Sequence, residues 1–173
     1  GAGLLIRSVV NLRAIDPGVE IDSAIVVDTT TPARLTTDER KLAIDAVLPA
    51  LRALPGVQVA AASQKLPLRG SGDNWGLTIR GRGDLHATTA TRMVTHDYFA
   101  AMGMKMRRGR GFSSSDRAGT EAVVIVNEAL VEKFFPNEDP IGQVLQTVHE
   151  AGERIIGVVS NAAEAGLIDG AVP

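Results

Sequence analysis

Residues 121–159, EAVVIVNEALVEKFFPNEDPIGQVLQTVHEAGERIIGVV, decide how this chain folds. The stretch opens on an apolar run, Ala122 to Val126, with the length and β-branched content of a buried strand. Asn127 follows as an N-cap: its side-chain oxygen can accept from the first N–H groups of a short helix carrying Leu130, Val131, Phe134 and Phe135. Pro136 lacks the N–H that an interior helical residue donates, so the helix is expected to stop at Phe135. A turn over 137–142 leads to two strand-like runs, Gln143 to Val148 and Arg154 to Val159, joined by a hairpin signal at Ala151-Gly152. The expected order is strand, helix, strand, strand, and nothing in it resembles a catalytic site.

Upstream of this unit, Trp75 to Arg82 alternates as a half-exposed strand with Trp75, Leu77 and Ile79 on one face. Gly81-Arg82-Gly83-Asp84 reads as the turn into a second strand, Thr88 to Thr95. Thr95 is expected to cap a short helix bearing Tyr98, Phe99 and Met102, closed by Gly103 in a left-handed conformation. A strand at Lys105 to Arg108 then enters the loop from Gly109 to Thr120.

Further upstream, Asp16-Pro17-Gly18 is a turn signal, and Ala24 to Asp28 reads as a strand. The pair Thr36 and Glu39 forms a capping box for a helix whose apolar face is Ile44, Val47, Leu48, Leu51 and Leu54. Pro49 interrupts that face, and predicts a kink near Asp45 or two shorter helical pieces. Pro55-Gly56 ends the helix. Val57 to Ala62 reads as a strand placed for a right-handed βαβ crossover from the first. Helices flank strand groups irregularly, which is an α+β pattern. The opening GAGLLIRSVVNL has neither a basic leader region nor enough apolar residues to span a bilayer alone. Leu4, Leu5, Val9 and Leu12, with Arg7 and Arg13, fit either the trailing end of a membrane helix or an ordinary amphipathic start.

Composition narrows the function classes. The 173 residues are 45% hydrophobic but only 3% aromatic, so the core must be aliphatic. A formal net charge of -2 provides no general field for nucleic acid or an anionic membrane. No cysteine is present, which excludes disulfides and thiolate chemistry.

Motifs for chemistry are equally sparse. Neither GxxxxGK[ST] nor a strand-turn-helix GxGxxG occurs, and Gly81-x-Gly83 enters a strand region. His86, His96 and His149 stand apart without metal-ligand spacing. Ser113-Ser114-Ser115-Asp116 lacks a nucleophile elbow and reads as loop. Arg107-Arg108-Gly109-Arg110 has no stacking aromatics beside it and reads as a solvated strand end. Arg82-Gly83-Asp84 matches an adhesion tripeptide that a hairpin turn explains. No catalytic, cofactor-binding or metal-binding residue is assigned, and no cofactor is expected.

Taken in order, GAGLLIRS, LRALPGV, VTHDYFAAMGMKMRRGRGF, VVIVNEALVEKFFPNEDPIGQVL and RIIGVV resemble the extracytoplasmic core domain of MacB-type ABC transporter permeases over essentially the whole chain. The resemblance implies an α+β fold with a mixed sheet: a porter-like βαβ unit plus an inserted smaller α/β subdomain, incomplete at its C-terminal side. Residues 1–15 would end a membrane or stalk helix, 16–66 would form the first half of the porter-like unit, and 67–173 would be mostly the inserted unit. It further implies a non-catalytic part of a permease at the periplasmic face of the bacterial inner membrane, transmitting conformational change for export or efflux. Its implied partners are a cytoplasmic ATPase domain or subunit, a periplasmic adaptor protein, the membrane through flanking helices and a second copy in a homodimer, with no nucleic acid. The alternative from another class is an extracellular lipid- or peptide-binding module, which an apolar cleft would favour.

Overall fold

The computed structural model describes residues 18–163 except 21, 31, 33, 70–72 and 148–150, with 83–86 as backbone alone. The N-terminal apolar segment, Pro17 and His149 lie outside the described residues, as does the side chain of His86. Six strands make one sheet: β1 (Asp73–Ile79), β2 (Arg82–Thr91), β3 (Met106–Gly109), β4 (Val123–Asn127), β5 (Val144–Gln146) and β6 (Glu153–Val159). Among the described residues the helices are α1 (Thr37–Arg52), α2 (Tyr98–Ala101) and α3 (Glu128–Phe134). None is long and apolar enough to cross a membrane.

The sheet is organised on β6. β4 lies parallel to it from Val123 opposite Arg154 to Asn127 opposite Val159. β5 pairs antiparallel with its start at Arg154 and Glu153, and β3 antiparallel with its end at Gly157 to Val159. A strand has two edges; β4 follows the whole of one, so β5 and β3 share the other end to end. The β1–β2 hairpin is appended through Thr78 and Ile79, which face Gln146 and Leu145 of β5. Ile155 to Val159 are all buried, as an unbroken apolar run covered on both faces should be. A parallel β4–β6 pair needs a crossover, and α3 begins that connection.

α3 supplies the other half of the core. Leu130, Phe134 and the following Phe135 pack with Leu77, Ile79, Val126, Leu145, Ile155 and Val158. Burying a phenylalanine of this kind contributes about 1.5–3 kcal/mol, so the FFP run anchors this layer. The expected strand, helix, strand, strand order of 121–159 is present, with Asn127 Oδ1 accepting from Leu130 N at 2.9 Å and Phe135 as C-cap. Leu77 and Ile79 are buried and Trp75 half-buried, while Asn74 and Gly76 on the alternate positions are exposed. That is the expected face.

Several expectations are corrected. Ala24 to Asp28 and Val57 to Ala62 are not strands; beyond an isolated bridge between Ser63 and Val94, no ladder forms there among the described residues. The βαβ crossover is therefore not closed within the described chain, because a strand needs a neighbour to satisfy its backbone groups. The hairpin turn is Arg80-Gly81, with Gly81 at φ 86, and β2 already begins at Arg82. Thr95 does not cap α2. Its hydroxyl instead accepts from Ala62 N at 2.9 Å, and Asp97 holds the N-cap position. α1 runs as one helix through Pro49, with the expected Thr36–Glu39 capping box. Of its apolar face only Leu48 is buried.

Candidate functional site

The residues that could carry chemistry are engaged in local structure. Asp116 accepts from Ser113 N at 2.8 Å and from the Arg110 guanidinium at 2.7 Å, and the Arg110 partnership holds its carboxyl well below the usual carboxylate range. Ser113 Oγ and Ser115 Oγ are 2.7 Å apart. Arg107 faces Glu128 at 3.2 Å, so the basic cluster is partly paired. His96 Nε2 lies 3.1 Å from Asp97 Oδ2. No group of three His, Asp or Glu side chains able to hold a metal ion occurs among the described residues. An open depression between Arg108, Glu132, Phe135 and Glu138 has a mixed polar and apolar lining, unlike the predominantly apolar cleft a lipid-binding module needs.

What the fold does build is a junction where the chain enters and leaves the α/β body. Gly18 takes φ 73, and a Cβ there would stand 2.1 Å from the Asn161 carbonyl oxygen, so only glycine allows this approach. Val19 is buried, and Glu20 N donates to Met102 O at 2.8 Å. Gly103, at φ 65 as expected, lies against Glu20: a Cβ would be 2.8 Å from that of Glu20. On the exit side Asn161 Oδ1 accepts from Ala129 N at 2.9 Å, and buried Ala163 accepts through its carbonyl from Leu68 N at 3.1 Å. Leu68 makes that bond from φ 65, a left-handed conformation costly for a side chain with a Cβ. The junction thus fastens the entry segment, α2, the start of α3 and the exit from β6 to one another.

The quoted sequence runs acquire physical reasons here. In YF, Tyr98 is buried and Phe99 packs edge-on against it, their centroids 5.5 Å apart; Phe99 then stacks on Phe112 at 6.0 Å. Gly109 of the RGRGF run pairs with Gly157 of the IIGVV run. Added Cβ atoms would meet the Ile156 carbonyl oxygen at 2.1 Å and the Arg110 carbonyl oxygen at 2.4 Å, respectively. In DPIG, Asp139 Oδ1 accepts from Ile141 N at 3.1 Å, Pro140 is fully buried and Gly142 takes φ 88. Sequence reasoning missed Asn161 and Leu68. Their partners are 32 and 95 residues away, and neither pairing leaves a local pattern.

An α+β body built on one mixed sheet, with Gly18 seated against Asn161, is the class of fold the structure defines. The chain belongs to the MacB-like periplasmic core domain family, whose model matches residues 9–172. It is 39% identical over 66 residues to the macrolide export ATP-binding/permease protein MacB 2 of Aeromonas hydrophila subsp. hydrophila, covering 38% of this chain and 10% of that protein. It is 31% identical over 68 residues to the macrolide export ATP-binding/permease protein MacB of Aggregatibacter actinomycetemcomitans, again covering 39% of this chain and 10% of the relative. The matched part thus spans a tenth of the length of these relatives. The fold is similar to that of the periplasmic region of MacB from Actinobacillus actinomycetemcomitans, with a TM-score of 0.53 at 19% identity, covering 74% of this chain and 60% of that one. Family membership places the chain on the extracytoplasmic side of a membrane transporter permease.

Proposed function

We propose that this chain is a non-catalytic extracytoplasmic body of an ATP-driven export permease, passing conformational change between membrane helices and the substrate or a partner protein. The observation that carries this reading is the junction: Gly18 to Glu20 are pinned to α2 and to Asn161–Ala162, so a displacement arriving at the entry segment reaches β6 and the core. Transmission of this kind needs a rigid body firmly coupled to what moves it. Hydrolysis of ATP is assigned to a cytoplasmic domain or subunit of the same transporter, in keeping with the ATP-binding/permease names of the relatives. The setting is the bacterial inner membrane, with a homodimer as the working assembly and a periplasmic adaptor as a further partner. Residues 16–66 are the first half of a porter-like unit and 67–173 mostly the inserted unit.

The test uses the full-length transporter in proteoliposomes, with ATP hydrolysis and export measured in parallel. Gly18→Val forces a side chain into the space held by the Asn161 carbonyl oxygen. Export should fall at least about tenfold while hydrolysis persists, the signature of lost coupling. Export at the wild-type rate in a folded Gly18→Val transporter would sink the reading.

A further inference from the structure

α1 shares no extended packing face with any other helix or strand of the described chain. Its attachment is made at its C-terminal end. Arg52 Nη2 lies 2.5 Å from Asp97 Oδ2 and donates to Ala60 O at 3.0 Å. Asp97 precedes α2, whose far end receives Glu20 N at Met102 O. Beside this ion pair lie two connecting stretches, 57–64, which leaves α1, and 92–97, which joins β2 to α2. These two stretches are stitched together by Ala62 N to Thr95 Oγ1 at 2.9 Å, by Gln64 N to Met93 O at 3.0 Å and by the Ser63–Val94 bridge. The stitching ties the stretch leaving α1 to the stretch leading into α2. One ion pair across them is a clasp.

We propose that Arg52 and Asp97 form a clasp that sets the angle of α1 on the α/β body, with the 95–103 segment as the relay between the entry segment and α1. The proposal rests on the transmission reading above and names a positioning pair within it. Both side chains are about one-third exposed, 33% and 31%, so the clasp is wet enough to open without unfolding the core. His96 Nε2 stands 3.1 Å from the same Asp97 oxygen, so a second polar group lies beside the carboxylate. A clasp of this kind biases an element between two positions, which is the physical requirement for coupling.

The clasp can be tested without transport, by amide hydrogen exchange on the chain with β6 as internal reference. Asp97→Asn and Arg52→Gln should each accelerate exchange in α1 and 57–62 about fivefold, leaving β6 amides unchanged. The charge-exchanged double variant, Arg52→Glu with Asp97→Lys, should return α1 toward the wild-type rate. Unchanged α1 exchange in both single variants overturns the proposal, and so does an equal acceleration in β6, which would mean general destabilisation. In the full-length transporter the same single variants should lower export with hydrolysis retained. If Gly18→Val uncouples export and the clasp variants do not, the relay fails while the transmission reading stands.

Discussion

Asp116 shows how a residue that resembles a site becomes structure. Its carboxylate is 10% exposed and takes hydrogen bonds from Arg110 and Ser113, which hold its pKa below the ordinary carboxylate range. A carboxyl depressed in the folded state contributes stability that is fully present above its unfolded pKa of about 3.9 and is lost as pH falls through the folded value. Asp116→Asn should therefore cost about 1–2 kcal/mol at pH 7, with the gap between variant and wild type narrowing steadily below about pH 4. Urea midpoints across that range check it; a gap independent of pH would contradict the assignment. Arg82 makes the same point from the other side. It heads an adhesion-like tripeptide, yet its guanidinium donates to Phe134 O at 2.7 Å, pairs with Glu138 and lies 5.2 Å over the Phe135 ring. The side chain closes the C-terminal end of α3, satisfying a carbonyl the helix leaves open.

At the scale of elements, α3 is the best-determined part of the molecule. Leu130 N is met by Asn127 and Ala129 N by Asn161, so two successive N–H groups at the helix start are satisfied by two separate asparagines. Each replacement by alanine should cost about 1 kcal/mol. Asn161→Ala should in addition speed exchange of the Ala129 amide, which Asn127→Ala should not; equal effects on both amides would show one shared cap. The difference between the two asparagines is also the difference between legible and hidden. Asn127 precedes an apolar helical face and can be read directly, whereas Asn161 acts across a folded distance. β4, α3 and β6 were readable because continuous β-branched runs and proline stops constrain them locally. Ala24 to Asp28 carries the same β-branched signal and forms no strand, because pairing is decided by a neighbour and not by propensity. The register that sets Gly109 opposite Gly157 was likewise unreadable, although each glycine was visible in its motif.

For the whole molecule, family and fold class were legible, while the junction that joins its parts was not. The runs that carried the resemblance turn out to be packing devices: an aromatic stack, a glycine pair and a proline turn. What stays exposed is informative too. On α1, Val47 and Leu51 are 53% and 36% exposed, Leu54 just past its end is 52% exposed, and Ile25 is 91% exposed. Apolar groups of this kind on a soluble surface mark contacts. The chain studied alone should self-associate with rising concentration in sedimentation experiments, and Val47→Asp combined with Leu54→Asp should return it to monomer. A wild-type chain that stays monomeric at about 100 μM would show these residues to be inert.

The contact between Gly18 and Asn161 has one more consequence. A folded unit that presents its two connections side by side can be spliced into a host chain at little cost in loop-closure entropy. Between Gly18 and Asn161 that closure is already made.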